Sequence, residues 1–362
     1  MIHSLALENY RSFERYELRN LARVNLLVGP NNSGKTSVLE AVHLLASRGH
    51  PLVLTNSAAR RGELQVRIDD DGRRVSRTPL HHHFHGHQLA PGTYFNVTSN
   101  GSLGGVRMQI EEAEVKETPD LFEMESPTIA PLALRIHHGG EKFQALPLAE
   151  DGSVEWGSVA RIRRAFESGK TVPTTFVAAE SLQVREMAGV WDQVIVHGRE
   201  FEVVEAMQIL QEDLRSIHFL TGDRVGRPTS PAGIVLGLQA GSPRVPIGSF
   251  GDGMRRLLAL SLSLVRAAQG FLLIDEIDTG LHWTVMEAMW RLVIETAIQS
   301  SIQIFATTHS LDCIVGLASL LRAQPDLGEA VSVQKIERGL GRSSSFDAEA
   351  IIAADDLSIE LR

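Results

Sequence analysis

Residues 24–37 read Val24-Asn25-Leu26-Leu27-Val28-Gly29-Pro30-Asn31-Asn32-Ser33-Gly34-Lys35-Thr36-Ser37, and their order decides the fold. The run Val24 to Val28, ended by Gly29 and Pro30, predicts a strand buried on both faces, as in a parallel sheet. Gly29 to Thr36 fits G-x-x-x-x-G-K-[ST] in full. A helix follows from Lys35 to about Leu45, with Val38, Ala41, Val42 and Leu45 on one face. In that register the glycines let successive amides point at phosphate oxygens, and the helix start adds a partial positive charge. Gly29, Pro30, Asn31, Asn32, Ser33, Gly34, Lys35, Thr36 and Ser37 are therefore the candidate ATP-binding residues. Lys35 is expected to reach the β- and γ-phosphates, and the Thr36 hydroxyl to ligate Mg²⁺. A chance glycine-rich turn is the competing reading, and it leaves the flanking strand and helix unexplained.

Working outward, Phe271-Leu272-Leu273-Ile274-Asp275-Glu276 is an apolar strand that delivers two carboxylates at its end. Asp275 is expected to hold Mg²⁺ through water, and Glu276 to act as general base on the attacking water. The bland alternative, a solvated strand end, loses ground to the upstream phosphate loop. About twenty residues earlier, Ser249-Phe250-Gly251-Asp252-Gly253-Met254-Arg255-Arg256 opens a helix and offers a second anion site through Ser249 and Gly251. Thr307-Thr308-His309-Ser310 follows the strand 302–306, where His309 can donate to a γ-phosphate oxygen. Each of these two is weak by itself; their order and spacing give them force.

The rest of the chain alternates strand and helix: strands at 3–7, 14–18 and 174–178, and helices at about 200–214, 253–268 and 284–298. Residues 49–173 differ, with short alternating stretches at 64–68, 93–97, 106–110 and 132–136 between Gly, Pro and His. The expected organisation is a core of 1–48 and 174–362 with a strand-rich insertion at 49–173, an α/β P-loop NTPase overall. A net charge of −9 confines any DNA contact to local patches. One cysteine, Cys313, excludes an internal disulfide framework. With no signal-peptide pattern and no membrane-length apolar run, a cytoplasmic protein is expected.

These motifs resemble the RecF, SMC and OLD branch of ABC ATPases. Leu7 to Phe13 (LENYRSF) is similar to its opening hairpin, and Gly29–Ser37, Ser249–Arg256, Asp275–His282 (DEIDTGLH) and Thr307–Ser310 to its later motifs. The likeness covers about 1–48 and 174–355. It implies an ABC ATPase head that hydrolyses ATP with Mg²⁺ as a head-to-head homodimer. The P-loop of one subunit would face Ser249 and Gly251 of the other. Gly280-Leu281-His282 would cross that interface, and Arg11 would lie near the nucleotide; the alternative for Arg11 is a solvated hairpin cap. The signature departs from the transporter form LSGGQ, and Gln183 is the candidate Q-loop glutamine. With only about fifty residues after His309, no TOPRIM nuclease domain is expected here. The resemblance therefore implies a separate effector protein, in an anti-phage or toxin–antitoxin-like setting. DNA repair or tethering, and a scaffold that barely hydrolyses ATP, are the alternatives.

Three features carry less. His81-His82-His83-Phe84-His85-Gly86-His87 reads as a solvated, mobile loop more readily than as a metal site. Arg161, Arg163, Arg164 and Lys170, and separately Arg73, Arg74 and Arg77, read as solvated faces before DNA contacts. Cys313 reads as packed.

Overall fold

The computed structural model describes residues 1–68, 74–101, 103–113, 132–143, 145–155, 172–178, 184–220, 233–239 and 243–361. They fall into two compact units: Met1–Asn20 with Asn32–Val172 and Glu337–Ser343, and Leu21–Asn31 with Pro173–Ile336 and Ser344–Arg362.

The first unit is built on an antiparallel sheet. The hairpin strands Leu5–Tyr10 and Phe13–Leu18 continue into Tyr94–Ser99, Gly105–Glu112, Leu132–His138 and the short Leu146–Pro147, with Glu141–Lys142 pairing beside them. Leu5 lies opposite Ser99 and Leu7 opposite Val97, so strands of the 49–173 stretch extend the opening hairpin directly. Alternation buries Leu5, Leu7, Phe95, Val97, Val106, Met108, Ile110, Leu134 and Ile136 on one face. The helix Lys35–Ala46 packs on the strands Tyr94–Ser99 and Gly105–Glu112. A second sheet joins Gln65–Ile68, Arg74–Pro79 and Ser153–Glu155.

The second unit holds the parallel sheet. Its order is Thr174–Val177, Phe271–Ile274, Gln303–Thr307, Val24–Val28, Val331–Lys335, with Ser344–Phe346 antiparallel at the edge. Every residue of Val24–Val28, Phe271–Ile274 and Gln303–Thr307 is buried, as central parallel strands require. The helices Met286–Gln299 and Leu311–Ala323 contribute Trp290, Val293, Leu317 and Leu321 to the core around them. A second cluster joins the helices Val184–Val196, Glu200–Met207 and Asp252–Arg266 to a small sheet of Ser216–Leu220, Gly233–Gly237 and Val245–Pro246.

Two expectations change. The helix at about 200–214 stops at Met207, where the chain turns and Gln208 Nε2 donates to Leu214 O at 2.9 Å. The histidine segment is solvated only in part: His85, Gly86 and His87 are exposed, but the residues before them turn inward. His81–His83 form a single 3-10 turn, His83 and Phe84 are fully buried, and Phe84 meets Phe95 edge-on at 5.1 Å. The apolar ring draws the segment inward, and Arg11 N donates to His83 O at 2.9 Å to fix it. Among the described residues no group of three or more His, Cys, Asp or Glu is placed to hold a metal ion. Arg73, Arg161, Arg163, Arg164, Lys170 and Gln183 lie outside the described residues, whereas Arg77 pairs with Asp151 at 3.7 Å. Cys313 is buried, and burial pushes its thiol up.

Candidate functional site

The C-terminal ends of three neighbouring parallel strands meet at one edge of the sheet in the second unit. Val28 leads there into Gly29-Pro30-Asn31, Ile274 into Asp275-Glu276, and Thr307 into Thr308-His309. Thr308 N donates to Leu27 O at 3.2 Å, tying the histidine-bearing turn to the strand that feeds the loop. Gly29 takes φ +137, open to glycine and strained for other residues.

The remaining loop residues belong to the first unit. Gly34 precedes the helix at φ +106, and a Cβ there would come within 2.3 Å of the Phe13 ring. Glycine is therefore needed twice over, for its conformation and for the hairpin's aromatic side chain. Asn32 sits at φ +61 and its Oδ1 accepts from Arg338 at 2.8 Å. Lys35, Ser33 and Ser37 are buried, and Thr36 is partly exposed. The Ser33 hydroxyl has no hydrogen-bond partner among the described residues, so a buried polar atom in the loop is left for a ligand to satisfy.

Arg11 is 6% exposed, which overturns the solvated hairpin cap. Its Nε pairs with Glu40 at 2.7 Å and Nη1 with Glu63 at 3.4 Å; Nη2 donates to Ser57 Oγ at 2.8 Å. Arg61 also pairs with Glu40, at 2.8 Å. Burial pushes the Glu40 carboxyl up, but Arg11 and Arg61 outweigh it and hold the group below its ordinary range. Arg11 thus anchors the helix that starts at Lys35, one turn beyond the loop.

The acid pair is held from several sides. Thr307 Oγ donates to Asp275 Oδ1 at 2.6 Å and accepts from Glu276 N at 2.9 Å. Glu276 adopts φ +52, a left-handed conformation that costs a non-glycine residue about 1–2 kcal/mol. Thr279 donates to its Oε2 at 3.1 Å. Thr308 Oγ donates to Asp278 Oδ1 at 2.6 Å and accepts from Ser310 N, so both threonines of the turn brace the loop after Ile274. Both catalytic-type acids are partly exposed, as groups meeting a ligand must be.

The second anion motif also lies in this unit. Ser249 and Gly251 are exposed at the start of the helix Asp252–Arg266, and Gly251 takes φ +86. Gly253 touches the loop after the acid pair, where a Cβ would lie 2.8 Å from Gly280 O. Sequence reasoning missed Arg256. It is 2% exposed and donates to Ala178 O at 2.8 Å, Asp275 O at 2.9 Å and Glu276 O at 2.6 Å. Burial lowers its pKa, against the pull of Asp278, Glu276 and Asp275. The available signal was a cation inside the apolar run from Met254 to Leu264. Thr307 and Arg338 were missed as well, the first for being polar at the end of a buried strand.

In comparison with known proteins, residues 182–313 match a family described as "AAA domain, putative AbiEii toxin, Type IV TA system", and residues 1–79 match "AAA ATPase domain". An "ATP/GTP phosphatase" of Helicobacter pylori is 20% identical, with 89% of each chain covered. "DNA replication and repair protein RecF" of Rickettsia massiliae is 51% identical over 43 residues, 12% of each chain, and that of Stenotrophomonas maltophilia 38% over 81 residues, 22% of each. Among solved structures, the "SMC head domain from Thermotoga maritima" covers 96% of this chain with a TM-score of 0.45 and 13% identity. That likeness is too slight to settle any property of the chain. The motifs end neighbouring strands of one parallel sheet, and AAA-type ATPase families match residues 1–79 and 182–313, so the chain is a P-loop ATPase, similar over short stretches to RecF proteins.

Proposed function

We propose that the protein is a Mg-ATP-driven switch, in which two copies close head to head on two ATP molecules and hydrolysis reopens them. The observation that carries this reading is the acid pair: Glu276 is held in a strained conformation beside Asp275 by Thr307, Thr279 and Arg256. A site that only bound nucleotide would have no use for a base so fixed. Gly29 to Ser37 hold the phosphates, with Lys35 on the β- and γ-phosphates, and Glu276 takes a proton from the attacking water. His309 donates to the γ-phosphate. Ser249 and Gly251 meet the nucleotide of the second copy. Thr36 and Asp275 offer the hard oxygen donors that suit Mg²⁺, which neutralises charge on the phosphates when bound. Arg11 acts at one remove, through Glu40. Residues 49–173 form an insertion within the head.

A separate effector protein reads the closed state, in a phage-defence or toxin–antitoxin-like system; the description of the family matched at 182–313 supports that setting. Among the described residues no helix is long and apolar enough to cross a membrane. A second reading, DNA repair or tethering, draws on the RecF matches, which span only 12% and 22% of those proteins.

The test is light scattering with and without Mg-ATP, alongside phosphate release, for wild type and Glu276→Gln. The variant is expected to bind Mg-ATP, dimerise and release no phosphate, while the wild type turns over. A Glu276→Gln protein that stays monomeric with Mg-ATP ends the switch reading. Turnover stimulated by duplex DNA would favour repair or tethering.

A further inference from the structure

We infer that Arg256 is a positioning residue for the acid pair: its buried guanidinium fixes the backbone at Asp275 and Glu276, so the placement of the helix Asp252–Arg266 governs turnover. This rests on the reading of Glu276 as general base and adds a residue that acts through it.

The geometry is specific. Ala178 directly follows the strand Thr174–Val177, which pairs in parallel with Phe271–Ile274. By donating to Ala178 O as well as to Asp275 O and Glu276 O, the guanidinium spans the ends of two adjacent strands. Carbonyls there have run out of ladder partners and need donors. A cation buried this deeply must be compensated, and the planar fork of an arginine can serve several acceptors at once. A lysine ammonium is a point charge on one stem and cannot reproduce that span.

Glu276 needs such support. A non-glycine residue at φ +52 persists only where its surroundings over-determine it. Thr307 takes its N–H, Thr279 holds its carboxylate, and Arg256 holds its carbonyl. Of these three, only Arg256 comes from another helix. That helix also meets the loop after the acid pair through Gly253 and Gly280, at a distance that leaves no room for a Cβ. Its first two turns are therefore keyed to the acid-pair loop at two points. Ser249 and Gly251 lie exposed just upstream of it. A ligand that shifts Ser249–Gly251 shifts the same rigid helix, and Arg256 carries the shift to Glu276.

The test compares the full-length wild type with Arg256→Lys, Gly253→Ala and Glu276→Gln. Phosphate release is followed across Mg-ATP concentrations, and Mg-ATP affinity by displacement of a fluorescent ATP analogue. Arg256→Lys is expected to bind Mg-ATP like the wild type, with kcat lower by about 100-fold, the effect of misplacing a catalytic group by about 1 Å. Gly253→Ala, which keeps the arginine but displaces its helix, is expected to show the same split between kcat and affinity. It decides the question if Arg256→Lys does not fold. Wild-type kcat in the folded variants, or a loss confined to affinity, overturns the inference while an inactive Glu276→Gln leaves the general base in place. Wild-type turnover in Glu276→Gln overturns both.

Discussion

Arg11 and Arg256 are both buried, one in each compact unit, and they are compensated in opposite ways. Arg11 faces side chains: the carboxylates of Glu40 and Glu63, the Ser57 hydroxyl, and His83 Nε2 at 3.2 Å. Arg256 donates to three main-chain carbonyls among the described residues. A carboxylate partner can be protonated or deleted, whereas a carbonyl can be neither. The difference teaches where each unit is vulnerable. The first depends on the charge state of its neighbours, and the second on where its helix sits.

The sharpest way to break that contrast is to remove Arg11. Arg11→Met strands Glu40 inside the protein, and a lost partner of a buried pair costs about 3–5 kcal/mol. Arg61 still reaches Glu40, so the low end, about 3 kcal/mol, is expected in urea unfolding. The double variant Arg11→Met/Glu40→Leu should recover much of the loss, because the fully buried carboxylate is gone and the charges that lose a partner, Arg61 and Glu63, are partly exposed to solvent. A double variant no more stable than Arg11→Met would show that packing, not charge, holds the cluster.

Acid offers the next largest effect. Burial first, then Arg60, depresses the His43 pKa from the ordinary 6.5 to about 4; burial and Arg11 depress that of His83 well below 6.5. Both rings stay neutral in the folded state while the unfolded chain takes up protons. Stability is thus complete above pH 6.5 and lost as the pH falls toward 4. His43 alone accounts for up to about 3 kcal/mol. The depressed Glu40 adds a loss in the same direction at the acidic end. Unfolding midpoints at pH 7, about 5.5 and about 4, for wild type and His43→Gln, measure it. The variant should show the flatter profile, and equal slopes would remove His43 from the account.

The smallest stability effect is expected at the acid pair. Thr307→Val removes one hydroxyl that serves Asp275 and Glu276, a loss of about 1–2 kcal/mol in unfolding. Phosphate release should fall further than stability does. A Thr307→Val protein less stable than Arg11→Met would reverse the ranking of the two units.

Much of this was legible in the sequence. The strand at 24–28 and the helix from Lys35 came out within a residue, because an apolar run, a glycine loop and a 3.6-residue period are local signals. The acid pair was readable for the same reason. What escaped notice is set by tertiary context. The strand Val331–Lys335, the edge strand Ser344–Phe346 and the sheet at 216–246 carry weak patterns, and pairing decides them. The histidine run looked solvated by composition, yet Phe84 supplies enough apolar surface to carry His83 into the core. Arg11 and Arg256 could be named as arginines, but the sequence distances of 29 residues to Glu40 and 20 to Glu276 hide their partners.

The choice of main-chain acceptors at Arg256 also bears on how the family can vary. Any residue at 178, 275 or 276 supplies the same oxygen, so this contact imposes no pairwise coupling between columns of an alignment. At these three oxygens position 256 would vary independently of its acceptors, whereas 11 and 40 would change together. Covariation-based contact maps would therefore find the pair at the hairpin and pass over these three carbonyl contacts at the acid pair.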